Sequence, residues 1–184
     1  MKKIFIINML LLTSLICVQD KKNTKFDLGL SYSLSGKKAF HDSPISFYGN
    51  YQIKKWAKFS IFAGLRILYA SSIESNNFTT KWAFNPNATV SYTIIEKPYG
   101  YAGLGYYFDS FTFKPTSFNS TENPDRYIST QGIAITPGLK YFIVPQFFFD
   151  TNLTFVFARS KDELINSSVQ NNNTFFNIGI GVAF

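Results

Sequence analysis

The residues best suited to chemistry are few and scattered. The only histidine, His41, stands beside Asp42 and Ser43 in the segment AFHDSP. Those three side chains match a hydrolytic triad in type. A triad is a geometric arrangement, however, and sequence neighbours rarely form one. Asp109, Glu122 and Asp125 flank one stretch and offer hard oxygen ligands of the kind Ca²⁺ takes. They do not form a metal-binding spacing, and with one histidine and one cysteine no metal or cofactor is expected. Cys17 is preceded by Leu15 and Ile16 rather than the small residues that precede a lipidated cysteine. No enzymatic activity is expected from this set.

A second group of polar residues is ordered by the pattern around it. Asp27, Lys58, Arg66, Lys81, Lys140 and Asp150 each sit in a segment that alternates apolar and polar residues. Period two is the strand period. Eight such segments can be drawn: 25–34, 44–54, 58–70, 80–94, 100–109, 127–142, 147–158 and 174–184. The 21 Phe and 11 Tyr agree with strands, because aromatic side chains suit a pleated, half-buried surface. In every segment the charged residues, which also include Lys25, Lys54 and Asp109, fall on the parity opposite the apolar set.

That segregation has two physical solutions. A soluble sandwich or barrel turns the apolar face inward. A membrane barrel turns it outward, where a Lys or Arg at mid-bilayer would cost about 2–4 kcal/mol. Two features favour the membrane. Residues 1–19, MKKIFIINMLLLTSLICVQ, have the charge-then-apolar order of a secretory signal peptide. The remainder, 20–184, has no run of ~18 apolar residues for a spanning helix. Only helices and closed barrels satisfy every backbone polar group in lipid. The expectation is one domain: an all-β, eight-stranded, antiparallel, up-and-down transmembrane β-barrel.

The links support this topology. Short ones (Lys55-Trp56-Ala57, 95–99 and 143–146) alternate with long polar ones at 35–43, 71–79, 110–126 and 159–173. Short periplasmic turns with longer outer loops are typical of outer-membrane barrels. Tyr32, Phe47, Tyr51, Tyr69, Trp82, Tyr92, Tyr106 and Tyr141 lie mostly near predicted strand ends, where interfacial aromatic girdles sit.

The last segment, FFNIGIGVAF, places Phe176, Ile178, Ile180, Val182 and Phe184 on one face and ends on an aromatic. In this the chain resembles the small porin-like outer-membrane barrels of the OmpA, OmpX and OmpW type. The resemblance implies location in the outer membrane of a Gram-negative-type bacterium. It also implies that the terminal strand is read by the outer-membrane assembly machinery. An anchoring role like that of the peptidoglycan-binding domain of OmpA is not expected from these barrel segments.

The functional expectations follow from the barrel. Eight strands enclose a lumen just wide enough to be filled by side chains. Charges there must pair or be hydrated, so an internal ion-pair network and no wide pore are expected. Pro86 and Pro137 fall inside predicted strands, where proline removes a ladder hydrogen bond. Either each marks a local bulge, as Gly138 after Pro137 suggests, or the wall is weakened for sideways passage of a small apolar ligand. An unbroken ladder on both sides of each proline would exclude the second reading. The formal charge of +7 is spread along the chain rather than clustered, so no nucleic-acid partner is expected. Lys37, Lys38, Phe40 and His41 in one outer loop, with Phe111, Phe113, Lys114 and Phe118 in another, would form a basic aromatic rim suited to lipopolysaccharide phosphates or a surface partner. The leading role is therefore structural or surface interaction among outer-membrane lipids. Apolar transport and lipid A modification of the PagP and PagL kind are the alternatives.

Overall fold

The structure is a computed structural model that describes residues 25–35, 45–69, 78–94, 98–113, 126–163 and 166–184. The leader, Cys17, His41, Asp42, Ser43, Glu122, Asp125 and the loop residues Lys37, Lys38, Phe40, Lys114 and Phe118 lie outside the described residues. So do the side chains of Lys81, Phe111 and Phe113.

Alternation drives the chain into long antiparallel strands: β1 (Phe26–Ser35), β2 (Ile45–Trp56), β3 (Phe59–Tyr69), β4 (Phe78–Thr93), β5 (Pro98–Phe113), β6 (Arg126–Val144), β7 (Phe147–Asp162), β8 (Ser167–Gln170) and β9 (Asn173–Ala183). Each pairs with its chain neighbour from β1 to β7, and β9 bridges β7 to β1. The result is a closed wall of eight staves. β8 is not a ninth stave. It pairs with β7 in the same register as β9 does, so β8 and β9 are one strand interrupted at Asn171 and Asn172.

The apolar face points out. Leu30, Phe47, Leu65, Val90, Leu104, Ile135, Phe149 and Ile180 are all exposed, whereas Ser31, Ser33, Ser46, Asn85, Asp150, Asn152 and Asn177 are buried inside. In water this would be an inverted protein; in lipid it is the stable arrangement. Along β7 the outward apolar residues run from Phe147 to Phe157. At about 3.3 Å per residue and a tilt near 40°, that run is about 25 Å tall, the height of an outer-membrane apolar band. Aromatic pairs mark both edges: Phe26 with Tyr51 and Phe59 with Tyr92 at the short-turn end, Tyr69 with Trp82 at the other. The expected girdle residues are outward-facing and exposed.

Three expectations need correction. Lys58 is not in the lumen. It lies exposed in the Ala57–Lys58 turn between β2 and β3, with Ala57 in the left-handed region at φ 39°. Lys54 is not inward either. A bulge between Gln52 and Lys54 reverses the facing of the strand end, leaving Lys54 exposed over the Trp56 ring and turning Lys55 toward the barrel mouth. The link expected at 159–173 is mostly strand, because β7 continues to Asp162 and turns back through Asn166 (φ 48°) into β8. Phe113 likewise still pairs with Arg126. Strands β5 to β8 therefore rise beyond the apolar band as a protruding sheet.

The lumen as candidate functional site

Inward side chains of all eight staves stack in layers. Nearest the short turns, Gln52, Lys55, Ser60, Ser91, Tyr99 and Phe142 form the mouth of an internal cavity of about 100 Å³. Asp27, Arg66, Lys140 and Asp150 all line this cavity.

Their geometry is specific. Lys140 Nζ donates to Asp27 Oδ2 at 2.5 Å, joining β6 to β1 across the lumen. The ammonium also lies 4.8 Å from the Phe148 ring centre and within 6 Å of Tyr48, Phe62 and Tyr101. Such an aromatic box favours a cation where water is scarce. Asp150 accepts from the Tyr101 hydroxyl at 2.6 Å. Arg66 lies over the Tyr48 ring and donates to Asn152 Oδ1 at 3.2 Å.

Three of these aromatics sit where they do because glycine faces them. Tyr48, Tyr101 and Phe148 are the cross-strand partners of Gly29, Gly138 and Gly181. Each ring folds over its glycine so closely that a Cβ there would meet it at 2.2–2.4 Å. Glycine thereby lets a large ring occupy a narrow interior.

Above the cavity a polar layer crosses the barrel. Asn177 Nδ2 donates to Asn152 Oδ1 at 2.6 Å and to Thr154 Oγ1 at 3.1 Å, Ser33 donates to Asn177 Oδ1, and Ser31 bonds Ser46 at 2.6 Å. Above that, Leu68, Ala83, Tyr107, Ala134, Val156, Ala158 and Phe175 close the lumen with apolar atoms. Only about 10 Å³ remains open between the polar layer and this plug. Tyr107 donates to Asp109 Oδ2 at 2.7 Å on the loop side. The interior is thus a small polar cup open toward the short turns and shut toward the loops.

No family model matches the sequence, and no curated protein does either. Solved structures do match in fold. Ail, the attachment invasion locus protein of Yersinia pestis, superposes with a TM-score of 0.58 at 16% identity, covering 88% of this chain and 97% of Ail. The N-terminal barrel of OprF from Pseudomonas aeruginosa gives 0.59 at 11%, covering 88% and 98%. Neisserial surface protein A gives 0.58 at 11%, covering 86% and 96%. The chain has the fold of the small outer-membrane barrels.

Pro86 and Pro137 stand on outward positions of the wall and are exposed. Pro86 pairs with Leu65 of β3, but toward β5 the ladder skips from Phe84–Phe108 to Asn87–Gly105. Pro137 pairs with Ala102 of β5, but toward β7 the ladder skips from Ile135–Phe155 to Gly138–Asn152. The register is the same before and after each gap, so neither proline makes a bulge. Beside Pro86, within β4, Asn87 Nδ2 donates to the Asn85 carbonyl at 3.0 Å and Thr89 donates to Asn87 Oδ1 at 3.2 Å.

At the carboxy terminus, Phe176, Ile178 and Ile180 are exposed on the lipid face, and Val182 and Phe184 share their parity. The Phe184 carbonyl accepts from the amides of Lys25 and Phe26, and its ring stacks on Phe26 at 6.1 Å. The alternation puts Tyr48 and Tyr101 on the polar face of their strands, as the structure has them, but singles out neither as a site residue, and it does not identify Lys55 or Phe148. For Phe148 the detectable signal is an aromatic on the polar parity, with a glycine on another strand to receive it.

Proposed function

We propose that this barrel has a structural or surface-interaction role in the outer membrane, presents β5 to β8 outside, and forms no wide pore. The observation that carries the reading is the apolar plug of Leu68, Tyr107, Val156 and Phe175 above a cup of only about 100 Å³. Ligand pockets are commonly 300–1,000 Å³, so the cup suits water and its own charges better than a substrate. The protruding sheet supports the contact role. Among the described residues β8 pairs with β7 alone, and Val169 of β8 is 64% exposed. An edge strand of that kind is a template for added backbone pairing. Ail, which has this fold, is named for attachment, a role of the same surface kind.

Planar-bilayer recording of the purified protein tests the reading. No steady conductance is expected, and a stable open level would overturn it. The alternative, sideways passage of an apolar compound, draws on the interrupted ladders at Pro86 and Pro137. Uptake of a hydrophobic dye into proteoliposomes, lost in Pro86→Val with Pro137→Val, would support that alternative instead.

A further inference from the structure

Apart from Lys54 at the β2 bulge, parity keeps strand charges off the outer face until the upper end of β7. Arg159 and Lys161 continue the outward row that begins at Phe147, and both are exposed. Among the described residues they are the basic side chains on outward positions at the loop end, and neither has an ion-pair partner there. They follow directly on Phe157, the last residue of the 25 Å apolar run, so they stand at headgroup height. Across the ladder, Arg159 faces Gln131 of β6 and Gln170 of β8, and Lys161 faces Ser129 and Ser168. The site is therefore cationic with hydrogen-bonding neighbours.

The wall below it is also unusual. Gln131 is exposed on the outer face and accepts from the Tyr106 hydroxyl at 2.8 Å. Tyr106 and Ile133, the next outward residue of β6, then line a shallow apolar groove with Pro86, Ala88 and Leu104. The groove exists because Ala88 and Pro86 are short among longer outward neighbours such as Leu104, Tyr106 and Ile133. A polar head at Arg159 and a greasy track leading down from Gln131 form one continuous feature.

We propose that this outer face of β4 to β7 holds one phosphorylated, multi-acyl glycolipid of the outer leaflet. Its phosphate lies on Arg159 and Lys161, and one acyl chain lies in the groove over Ala88 and Pro86. Charge selects the occupant, because two adjacent cations at headgroup depth, without an ion-pair partner among the described residues, favour a dianionic head over a zwitterionic one. Position selects a lipid over a soluble anion, because the groove below lies within the band. This rests on the outer-membrane reading above.

Native mass spectrometry of the barrel in mild detergent tests it, with lipid A, its monophosphoryl form and phosphatidylethanolamine as probes. The protein is expected to retain one lipid A, less of the monophosphoryl form and little phosphatidylethanolamine. Arg159→Gln with Lys161→Gln should lower lipid A retention roughly tenfold or more, since each lost charge-assisted contact is individually worth a large factor. Ala88→Phe fills the groove with an apolar ring on a lipid-facing position, and should lower retention several-fold. Heat-modifiable gel mobility confirms that each variant is folded. Equal retention of all three lipids, unchanged retention in the double variant or in Ala88→Phe, or complete displacement by millimolar inorganic phosphate would each overturn the proposal. A steady conductance would instead sink the plugged-barrel reading, whichever lipid is held.

Discussion

Lys140 and Asp27 meet at 2.5 Å across the lumen although 113 residues separate them in the chain. Their strands, β6 and β1, are not neighbours in the wall, so the pair braces the barrel through its interior. Both side chains are largely hidden, at 13% and 10% exposure. Removing one partner leaves the other charge uncompensated, which costs about 3–5 kcal/mol for a buried pair. Lys140→Met and Asp27→Leu should each lower stability in urea titrations of the barrel in vesicles. The double substitution should recover most of that loss, because an apolar pair of similar volume is often neutral. Additive losses would show that the two residues do not act as a pair.

Tyr101 and Gly138 form a second dependent pair. A Cβ on Gly138 would lie 2.4 Å from the Tyr101 ring. The ring is also tied to Asp150 by its hydroxyl, so it cannot swing aside freely. Gly138→Val should destabilise the barrel by about 1–3 kcal/mol, the usual cost of overpacking. Tyr101→Ser in the same chain should restore part of it. The checking measurement is the unfolding midpoint of the four proteins in the cycle, and no rescue would mean that valine fails for a reason other than the ring.

These pairs show why the wall could be read from the sequence and its contents only in part. Period-two alternation fixed the facing of residues such as Leu30, Ile135 and Asp150, because a slip of one residue would reverse the whole strand. The same rule misplaced Lys54, since the bulge after Gln52 is not encoded in hydrophobic pattern. Polar composition made 159–173 look like a loop. Above the lipid band, however, a strand has no apolar face to display, so Arg159 to Gln170 forms a hairpin with polar residues on its faces. The facing of Tyr48 follows from alternation, but the room for its ring comes from Gly29 on the paired strand, and that of Phe148 from Gly181, 33 residues away in the chain.

Pro86 offers a prediction of opposite sign. It has no N–H to give, and the β4–β5 ladder opens beside it at Tyr106. Replacing Pro86 with Val returns the missing N–H, so Pro86→Val should be neutral or stabilising. Asn87 holds β4 locally, through its bond to the Asn85 carbonyl, so Asn87→Ala should cost about 0.5–1.5 kcal/mol. Both are read from urea midpoints of the barrel in vesicles, and a clear loss of stability in Pro86→Val would show that the open rung is not what the proline costs.

Phe184 has two contributions that can be parted. Its carbonyl closes the ladder on Lys25 and Phe26 through backbone atoms that Phe184→Ala retains. Its ring makes one stacked contact with Phe26 at the barrel rim. Stability after refolding in detergent should therefore change by only about 0.5–1.5 kcal/mol, the scale of an aromatic pair. Outer-membrane levels in cells should fall several-fold if the terminal aromatic is an assembly signal, as proposed from the sequence. A fall in cells no larger than that of Phe59→Ala, which also breaks a rim aromatic pair, would reduce Phe184 to a packing residue.

The plug makes the last prediction. Leu68 and Phe175 reach into the lumen from β3 and β9 and stand over the narrow space beside Arg66 and Asn177. Leu68→Ala with Phe175→Ala removes the larger apolar atoms there while leaving the polar layer and the Lys140–Asp27 brace untouched. Each truncation should cost about 2–5 kcal/mol of packing, so heat-modifiable mobility must first show a folded barrel. Folded double variant should then admit water past the apolar layer and give small, steady currents in planar bilayers, where the parent protein gives none. A silent but folded double variant would place the barrier lower, at the Asn152–Asn177 layer, and Asn177→Ala added to it should then open the path.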